Sequence, residues 1–262
     1  MSLTGKTKAG SYKDLLQMNN SNNGIDTSQR KIVDGEGTAS VISMSDDSLY
    51  IQPNNDNGTN LVRTMNVAGN DIFSVDSTNM LVKAGEGQHI VNTQIKDFCI
   101  TSVNSMPSSA NTWTALSSIG SARFVGAVEL GTGSTPDTSL TISNTAHNVA
   151  MAMWYVPLDI TIDSCNVWFG ADAANGDVVK FSVMSYTVDT SNGSTGGDLS
   201  SGVENCVSPS TITGAGREQI YYQALTVSSA DVDAGKVIMA CVAQDGTNAD
   251  LSCSLQLVYH AR

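Results

Sequence analysis

The stretch that decides the fold lies near the end of the chain, where residues 251–257 have the sequence LSCSLQL. Apolar and polar side chains alternate strictly over these seven positions. A period of two is that of a β-strand with one buried face and one face in water. The sequence therefore predicts a half-buried strand over residues 251–259.

Seven more segments before it have strand-like patterns, and together with it they make eight strands. In residues 160–169 the apolar phase slips by one position near Ser164, which predicts a β-bulge. Residues 150–156 and 237–243 are continuously apolar, which is typical of strands buried on both faces or facing another subunit. Eight such strands fit a jelly-roll-like β-sandwich. The remaining predicted strands are residues 124–130, 139–143, 178–188 and 220–227.

Residues 34–98 have a different rhythm, in which apolar pieces of three to seven residues alternate with turn signals. Such short strands cannot enclose a core in one copy, because an isolated small sheet is marginal in water. We expect a narrow β stem, intertwined in a trimer, in which partner chains bury apolar side chains; the alternative is a small subdomain packed on the C-terminal one. The predicted strands are residues 41–44, 49–51, 61–67, 72–75 and 81–83, and the side chains in question are Val41, Ile51, Val67, Phe73 and Val75.

Composition agrees with an all-β class. Of 262 residues, 101 are Gly, Ser, Thr or Asn, and only 15% are charged. Short strands joined by tight turns use these small residues, whereas helical bundles do not. We therefore predict four regions: an arm over residues 1–33, a stem over 34–98, a connector over 99–123 and a β-sandwich over 124–262.

The charge pattern excludes some partners and suggests another. A net charge of −12 argues against binding nucleic acid. No apolar run is long enough for membrane insertion, and none near the start resembles a secretory signal. The first 13 residues, by contrast, contain three lysines and no acid. This arm is predicted to dock on an oppositely charged partner, although frayed termini are also common. The candidate docking residues are Lys6, Lys8, Tyr12, Lys13, Leu15 and Leu16.

The chain offers little catalytic or metal-binding chemistry. It has no nucleophile elbow, phosphate loop or HExxH motif, and its three histidines are far apart. Five cysteines without CxxC spacing argue against zinc and a disulfide framework, and favour buried free thiols. Residues 245–250 resemble part of a calcium loop but lack its full length, so a hairpin turn is preferred. We predict no enzymatic activity, no cofactor and no metal, a surface or interface position for His260, and a core position for Trp154.

The remaining candidates for recognition are polar loops. Residues 171–177, 189–202 and 208–217 are long and polar, as recognition loops on β-sandwiches are. Residues 189–198 are so rich in Gly and Ser that we expect an exposed tip, with Asp189, Asn192 and Asp198 as possible contacts. A passive solvated loop is the alternative.

The N-terminal half resembles the N-terminal regions of fibre-like structural proteins of tailed bacteriophages, particularly phages of aquatic bacteria. The frame N-x-x-G-x-x-I/V-F-x-V-D is its most specific element. The stretches that carry the resemblance are residues 9–17, 23–26, 33–38, 40–45, 51–53, 66–76 and 82–85.

This resemblance implies a virion protein made in the host cytoplasm and assembled as a homotrimer. The arm would attach it to capsid, neck or tail proteins, and its β-sandwich would contact the host surface, including host glycans. The first alternative is a capsid decoration protein that clamps neighbouring subunits. The second is a short glycan-degrading tailspike, against which the length of the chain argues.

Overall fold

The all-β prediction is confirmed by a computed structural model, in which 19 strands and one short helix are present among the described residues. The chain divides into two compact units, Met1–Asn92 (unit 1) and Thr93–Arg262 (unit 2). The described residues are 16–21, 23–85, 89–101, 110–119, 128–142, 146–171, 178–189, 197–209, 212–213, 219–244 and 251–262.

Unit 1 contains two four-stranded antiparallel sheets, each a meander in chain order. The predicted short strands are all present, with bounds that differ by a few residues. The arm was expected to have no fold of its own, but Gln17–Met18 and Arg30–Val33 are strands of the first sheet. The first sheet consists of β1 (Gln17–Met18), β2 (Arg30–Val33), β3 (Ala39–Met44) and β4 (Leu49–Ile51). The second consists of β5 (Val62–Met65), β6 (Asp71–Asp76), β7 (Leu81–Ala84) and β8 (His89–Ile90).

Unit 2 is an 11-stranded antiparallel sheet with the main order β10-β18-β13-β14-β16-β12-β19-β9. Three short strands lie off this order: β11 pairs with β18, β15 with β13 and β17 with β12. The bounds are β9 (Thr93–Thr101), β10 (Thr114–Ala115), β11 (Trp154–Tyr155), β12 (Ile160–Ala171), β13 (Val178–Asp189), β14 (Asp198–Val207), β15 (Ile212–Thr213), β16 (Gln219–Val227), β17 (Asp231–Val232), β18 (Val237–Gln244) and β19 (Leu251–Ala261).

The two ends of this strand order meet. Cys99 of β9 and Ser117, just after β10, exchange backbone hydrogen bonds of 3.0 and 2.9 Å. On the other side the two halves are joined more weakly, because β14 and β16 pair only through Cys206 with Val227 and Val207 with Thr226. The strands thus close around a core, with β9, β19, β12 and β16 as one half and β10, β18, β13 and β14 as the other.

The inner core receives side chains from both halves. On β19, Leu251, Cys253, Leu255 and Leu257 point inward and are at most 6% exposed, so the predicted alternation is confirmed. The pairing of β12 with β19 shifts register between Ile162 and Ser164, which confirms the predicted bulge.

A second apolar cluster covers the outer side of the β10–β14 half. All eight residues of β18 are buried, and their side chains alternate between the inner core and this outer cluster. Helix α1 (Ala146–Ala152) contributes Val149 and Ala152 to the outer cluster. Residues 150–156, predicted as a strand, therefore hold the end of a helix and the two-residue strand β11, because an Ala-rich run over one apolar surface favours helix.

The predicted region boundaries also differ from the observed ones. The boundary between units lies after Asn92, and β9 crosses the expected end of the stem at residue 98. The connector contains Trp113, which is 1% exposed and belongs to the outer cluster. Within the residues expected to form the loops 189–202 and 208–217, the structure instead places the first half of β14 and the two-residue strand β15. No helix within the described residues is long and apolar enough to cross a membrane.

One buried carboxylate organises the turn between β6 and β7. The Asp76 carboxylate has no exposed surface and accepts hydrogen bonds from the Asn79 amide side chain at 2.9 Å and from Lys83 Nζ at 3.1 Å. It also accepts bonds from the backbone N–H groups of Thr78 and Asn79. Burial raises the pKa of Asp76, but the Asn79 and Lys83 bonds outweigh burial and lower the pKa from 3.8 to about 2.

We expect Asp76→Asn to destabilise the second sheet of unit 1 by about 1–3 kcal/mol at pH 7, because four bonds lose their charged acceptor. Since the folded-state pKa is depressed, the stabilisation is present above the unfolded value near 3.8 and is lost as pH falls through about 2. Urea unfolding followed by circular dichroism at pH 7, 4 and 2.5 measures this. The exposed control Asp56→Asn retains the acid sensitivity. Equal acid sensitivity in Asp76→Asn would contradict the assignment.

Candidate functional site

The predicted recognition residues lie at the base of a hairpin. Asp189 is the last residue of β13 and pairs directly with Asp198, the first residue of β14. Asp198 Oδ1 also accepts a hydrogen bond from the backbone N–H of Ile142 at 2.9 Å. This carboxylate therefore fixes the neighbouring segment to the hairpin, while Asn192 falls outside the described residues.

The predicted docking residues of the arm are almost all outside the described part of the chain. Lys6, Lys8, Tyr12, Lys13 and Leu15 belong to this group. Leu16 is described, is 68% exposed and directly precedes β1. The docking role of the arm therefore stays a prediction.

The described strand ends that flank two of the candidate loops lie apart in unit 2. Ala171, the last residue of β12, pairs with Leu251 and Gln219. The paired residues Asp189 and Asp198 lie at the opposite end of β13 from Val178. Residues 172–177, 190–196, 210–211 and 214–218 of the candidate loops are outside the described residues.

The outer side of the β9-β19-β12-β16 half, which we call the open face, was not predicted from the sequence. Trp168 on β12 and Tyr222 on β16 lie side by side there, with ring centroids 5.1 Å apart and a tilt of 47°. They are 43% and 56% exposed, and Ile220 beside them is 81% exposed. The Tyr222 hydroxyl donates to the Asn166 side-chain oxygen at 2.9 Å, which fixes the ring on the surface.

A sequence signal for this face exists. Val167-Trp168-Phe169 and Ile220-Tyr221-Tyr222 are runs of three large apolar residues inside strands. Because successive strand residues point to opposite faces, such a run places an apolar side chain on each face. Phe169 and Tyr221 stack in the interior with centroids 5.1 Å apart, which leaves Trp168, Ile220 and Tyr222 outside.

The prediction that His260 lies at a surface or interface needs correction for the single chain. His260 is 5% exposed, and its Nδ1 lies 2.9 Å from Asp163 Oδ1. Nearby, Arg262 forms ion pairs with Asp231 and Asp233 at 3.4 and 3.2 Å. These contacts fasten the end of β19 to β12 and to the β17 region.

Most of the thiols are buried, and the candidate calcium-loop residues lie outside the described part of the chain. Cys165, Cys206, Cys241 and Cys253 are buried and free, as predicted for Cys165, Cys241 and Cys253, while Cys99 is half-buried on the open face. The residues described contain no group of three His, Cys, Asp or Glu side chains arranged to hold a metal ion. Residues 245–250, the partial calcium-loop pattern, lie beyond the described ranges. Trp154, predicted as core, is partly buried and packs against the inner core, with its ring 4.9 Å from that of Tyr259.

No protein-family model matches the chain, and no curated protein matches its sequence. The fold and the surface chemistry of the chain itself are therefore the basis for a functional proposal.

The hairpin between Asp189 and Asp198 allows a direct test of the loop. We expect replacement of residues 190–197 by Asn-Gly to change the free energy of unfolding by less than about 0.5 kcal/mol, because the strands are already paired at the base and surface changes are usually mild. If the loop recognises the host, particles carrying the change adsorb less or to other strains. A same-length control, Ser191→Ala with Ser194→Ala, retains adsorption. Unchanged adsorption of the shortened variant across a host panel would contradict a recognition role.

Proposed function

We propose that this chain is a structural protein of a tailed-phage virion: a short homotrimeric fibre or appendage on the head vertex or tail. Unit 1 forms the stem, and unit 2 forms a jelly-roll sandwich that contacts the host surface. The protein works by binding and has no catalytic step.

The single observation that carries this proposal is the missing core of unit 1. Among its described hydrophobic residues only Val33 is buried, at 5% exposure. Large exposed apolar patches on a soluble chain mark interaction surfaces. The exposed large hydrophobic residues of unit 1 are Leu16, Ile25, Val41, Ile42, Leu49, Tyr50, Ile51, Met65, Val67, Ile72, Met80 and Val91.

The pattern of exposure supports other copies of the chain as the missing cover. Val41, Ile51 and Val67, three of the five residues for which partner burial was predicted, are 38%, 39% and 109% exposed. Phe73 and Val75 are half-buried. Strands of three to six residues that keep their hydrogen bonds but not their core fit a stem in which several chains share one interior.

The strand order of unit 2 supports the jelly-roll assignment. One half has the order β9-β19-β12-β16 and the other has β10-β18-β13-β14, so strands that follow one another in the chain repeatedly fall in opposite halves. Such crossing between two facing sheets is the connection pattern of a double Greek key. Sandwiches of this kind serve as rigid supports for recognition loops.

The mass of the purified protein tests the trimer. We expect light scattering to give about three times 27.4 kDa, because unit 1 cannot bury its apolar strands in one copy. A 27.4-kDa monomer that retains β-rich circular dichroism would contradict the proposal. Gel densitometry of particles then separates a fibre from a capsid decoration protein, which is present in far more copies.

Deleting residues 2–15 tests the arm. This deletion ends before β1, so we expect a folded protein of unchanged oligomeric mass that no longer joins particles. A full-length control with Lys6→Gln, Lys8→Gln and Lys13→Gln removes the positive charge of the arm and keeps its length. It shows whether the charge alone is needed for incorporation. Normal incorporation of the deleted protein would place the docking surface elsewhere.

A further inference from the structure

The outward residues of the open face form ordered rows across four strands. One row contains Cys99, Ser254, Trp168 and Tyr222, in the order β9, β19, β12 and β16. The next row toward the end of the sheet contains Ser252, Gly170 and Ile220. Small residues therefore occupy the middle of the face, and large apolar residues stand on the β16 side.

This arrangement produces a groove beside a ridge. The groove has a volume of about 430 Å³ and lies over Gly170, Ser252 and Ser254, with Cys99 at one side. Trp168, Tyr222 and Ile220 form the ridge. Gly170 keeps the floor low because it has no side chain; a Cβ there would make only an ordinary contact, 3.6 Å from Ser252 Oγ.

The other half of unit 2 already has a cover on its outer side. Trp113, Leu130, Val149 and Ala152 from the segment between β9 and β11 pack on β13 and β18 and are at most 1% exposed. No described segment of unit 2 covers the open face in this way. One half of the sandwich is thus sealed by its own chain, and the other exposes aromatic rings to water.

The charges of the chain and of the groove limit which partner can cover the open face. Two copies that each carry a net charge of −12 repel one another over most of their surface. The groove and ridge contain no Asp, Glu, Lys or Arg among their described residues. Burial and the neighbouring Asp97 carboxylate raise the pKa of the Cys99 thiol, so this group is neutral as well. The end of the open face with the groove is therefore a place where identical acidic chains meet less repulsion than over the rest of their surface, with the Asp97 carboxylate as the neighbouring charge.

The side chains of β16 complete the ridge. This strand lies between β12 and β14 in the sheet, pairing with β12 over Gln219–Leu225 and with β14 at Thr226 and Val227. Ile220 and Tyr222 project from its outer side and are 81% and 56% exposed. A ridge on one copy that enters a groove on the next forms a heterologous contact, which gives a ring when the rotation between copies closes.

We infer that the open face is the contact between the C-terminal units of the trimer: the Ile220–Tyr222 ridge of one copy packs into the groove over Gly170, Ser252 and Ser254 of the next. The inference rests on the proposed trimer and names its second interface. It also explains why Trp168 remains on the surface of a single chain.

The face accounts for part of the area that such an assembly buries. Four strands about 4.8 Å apart and about nine residues long project an area on the order of 500 Å². A stable interface buries about 800 Å² per partner. The face alone is therefore smaller than a standard interface, and in the proposed trimer the shared core of unit 1 supplies the rest.

Cys99 is the probe of this interface, because the other four thiols are at most 6% exposed in the single chain. We compare alkylation of native protein by iodoacetamide, mapped by mass spectrometry, in wild type, Ser254→Arg and Val203→Arg. Ser254→Arg puts a long cation into the groove at a position that faces solvent in the single chain. Val203 is exposed on β14, away from the groove, and its variant is the matched control.

We expect Cys99 to react at least about tenfold more slowly in wild type and Val203→Arg than in Ser254→Arg, since a buried thiol is inert. Circular dichroism checks that Ser254→Arg is folded; if it is not, Tyr222→Ser takes its place. A trimer in which Cys99 of wild type reacts as fast as in a folded groove variant would overturn the inference and leave the trimer standing. Protection of Cys99 only after host polysaccharide is added would overturn it too, in favour of a saccharide site. A monomeric wild type would instead refute the proposed function itself.

Discussion

Short strands need a surface on which to bury their apolar side chains, and unit 1 does not supply one. Its sheets are meanders of two- to six-residue strands, yet Val33 is the only described hydrophobic residue of unit 1 that is buried. Polar contacts, such as those of the buried Asp76 carboxylate, shape the turns but add little hydrophobic stabilisation. A shared core between copies of the chain resolves this constraint, and the proposed fibre follows from it.

Unit 2 meets the same requirement in a different way. Its inner core joins both halves, and its own segment from Trp113 to Ala152 seals the outer side of β13 and β18. The remaining outer side carries Trp168, Ile220 and Tyr222 around a floor of small residues. The unit therefore folds around its own core, and its described residues still present an apolar surface. In the proposed trimer, the uncovered apolar residues of both units would contact other copies of the chain.

Regular patterns in the sequence predict the regular parts of the fold. The alternation in β19, the complete burial of β18 and the bulge near Ser164 were all visible because period two is a direct consequence of strand geometry. Strand β14 was missed because its pairing with β13 shifts register twice, and Ser201 adopts a φ of 52°, so the apolar period is broken. Helix α1 was mistaken for strand because a short apolar run does not distinguish the two. The open face was missed because its residues come from four separate strands, and only the register brings them together.

The most direct test of a shared core is the dependence of stability on protein concentration. When folding requires association, the unfolding midpoint rises with chain concentration by mass action. Reversible urea unfolding over a hundredfold concentration range, followed by circular dichroism, measures this. A core shared between chains predicts a midpoint that increases steadily with concentration. A midpoint that stays constant over the whole range, with full native β-structure at the lowest concentration, would contradict it.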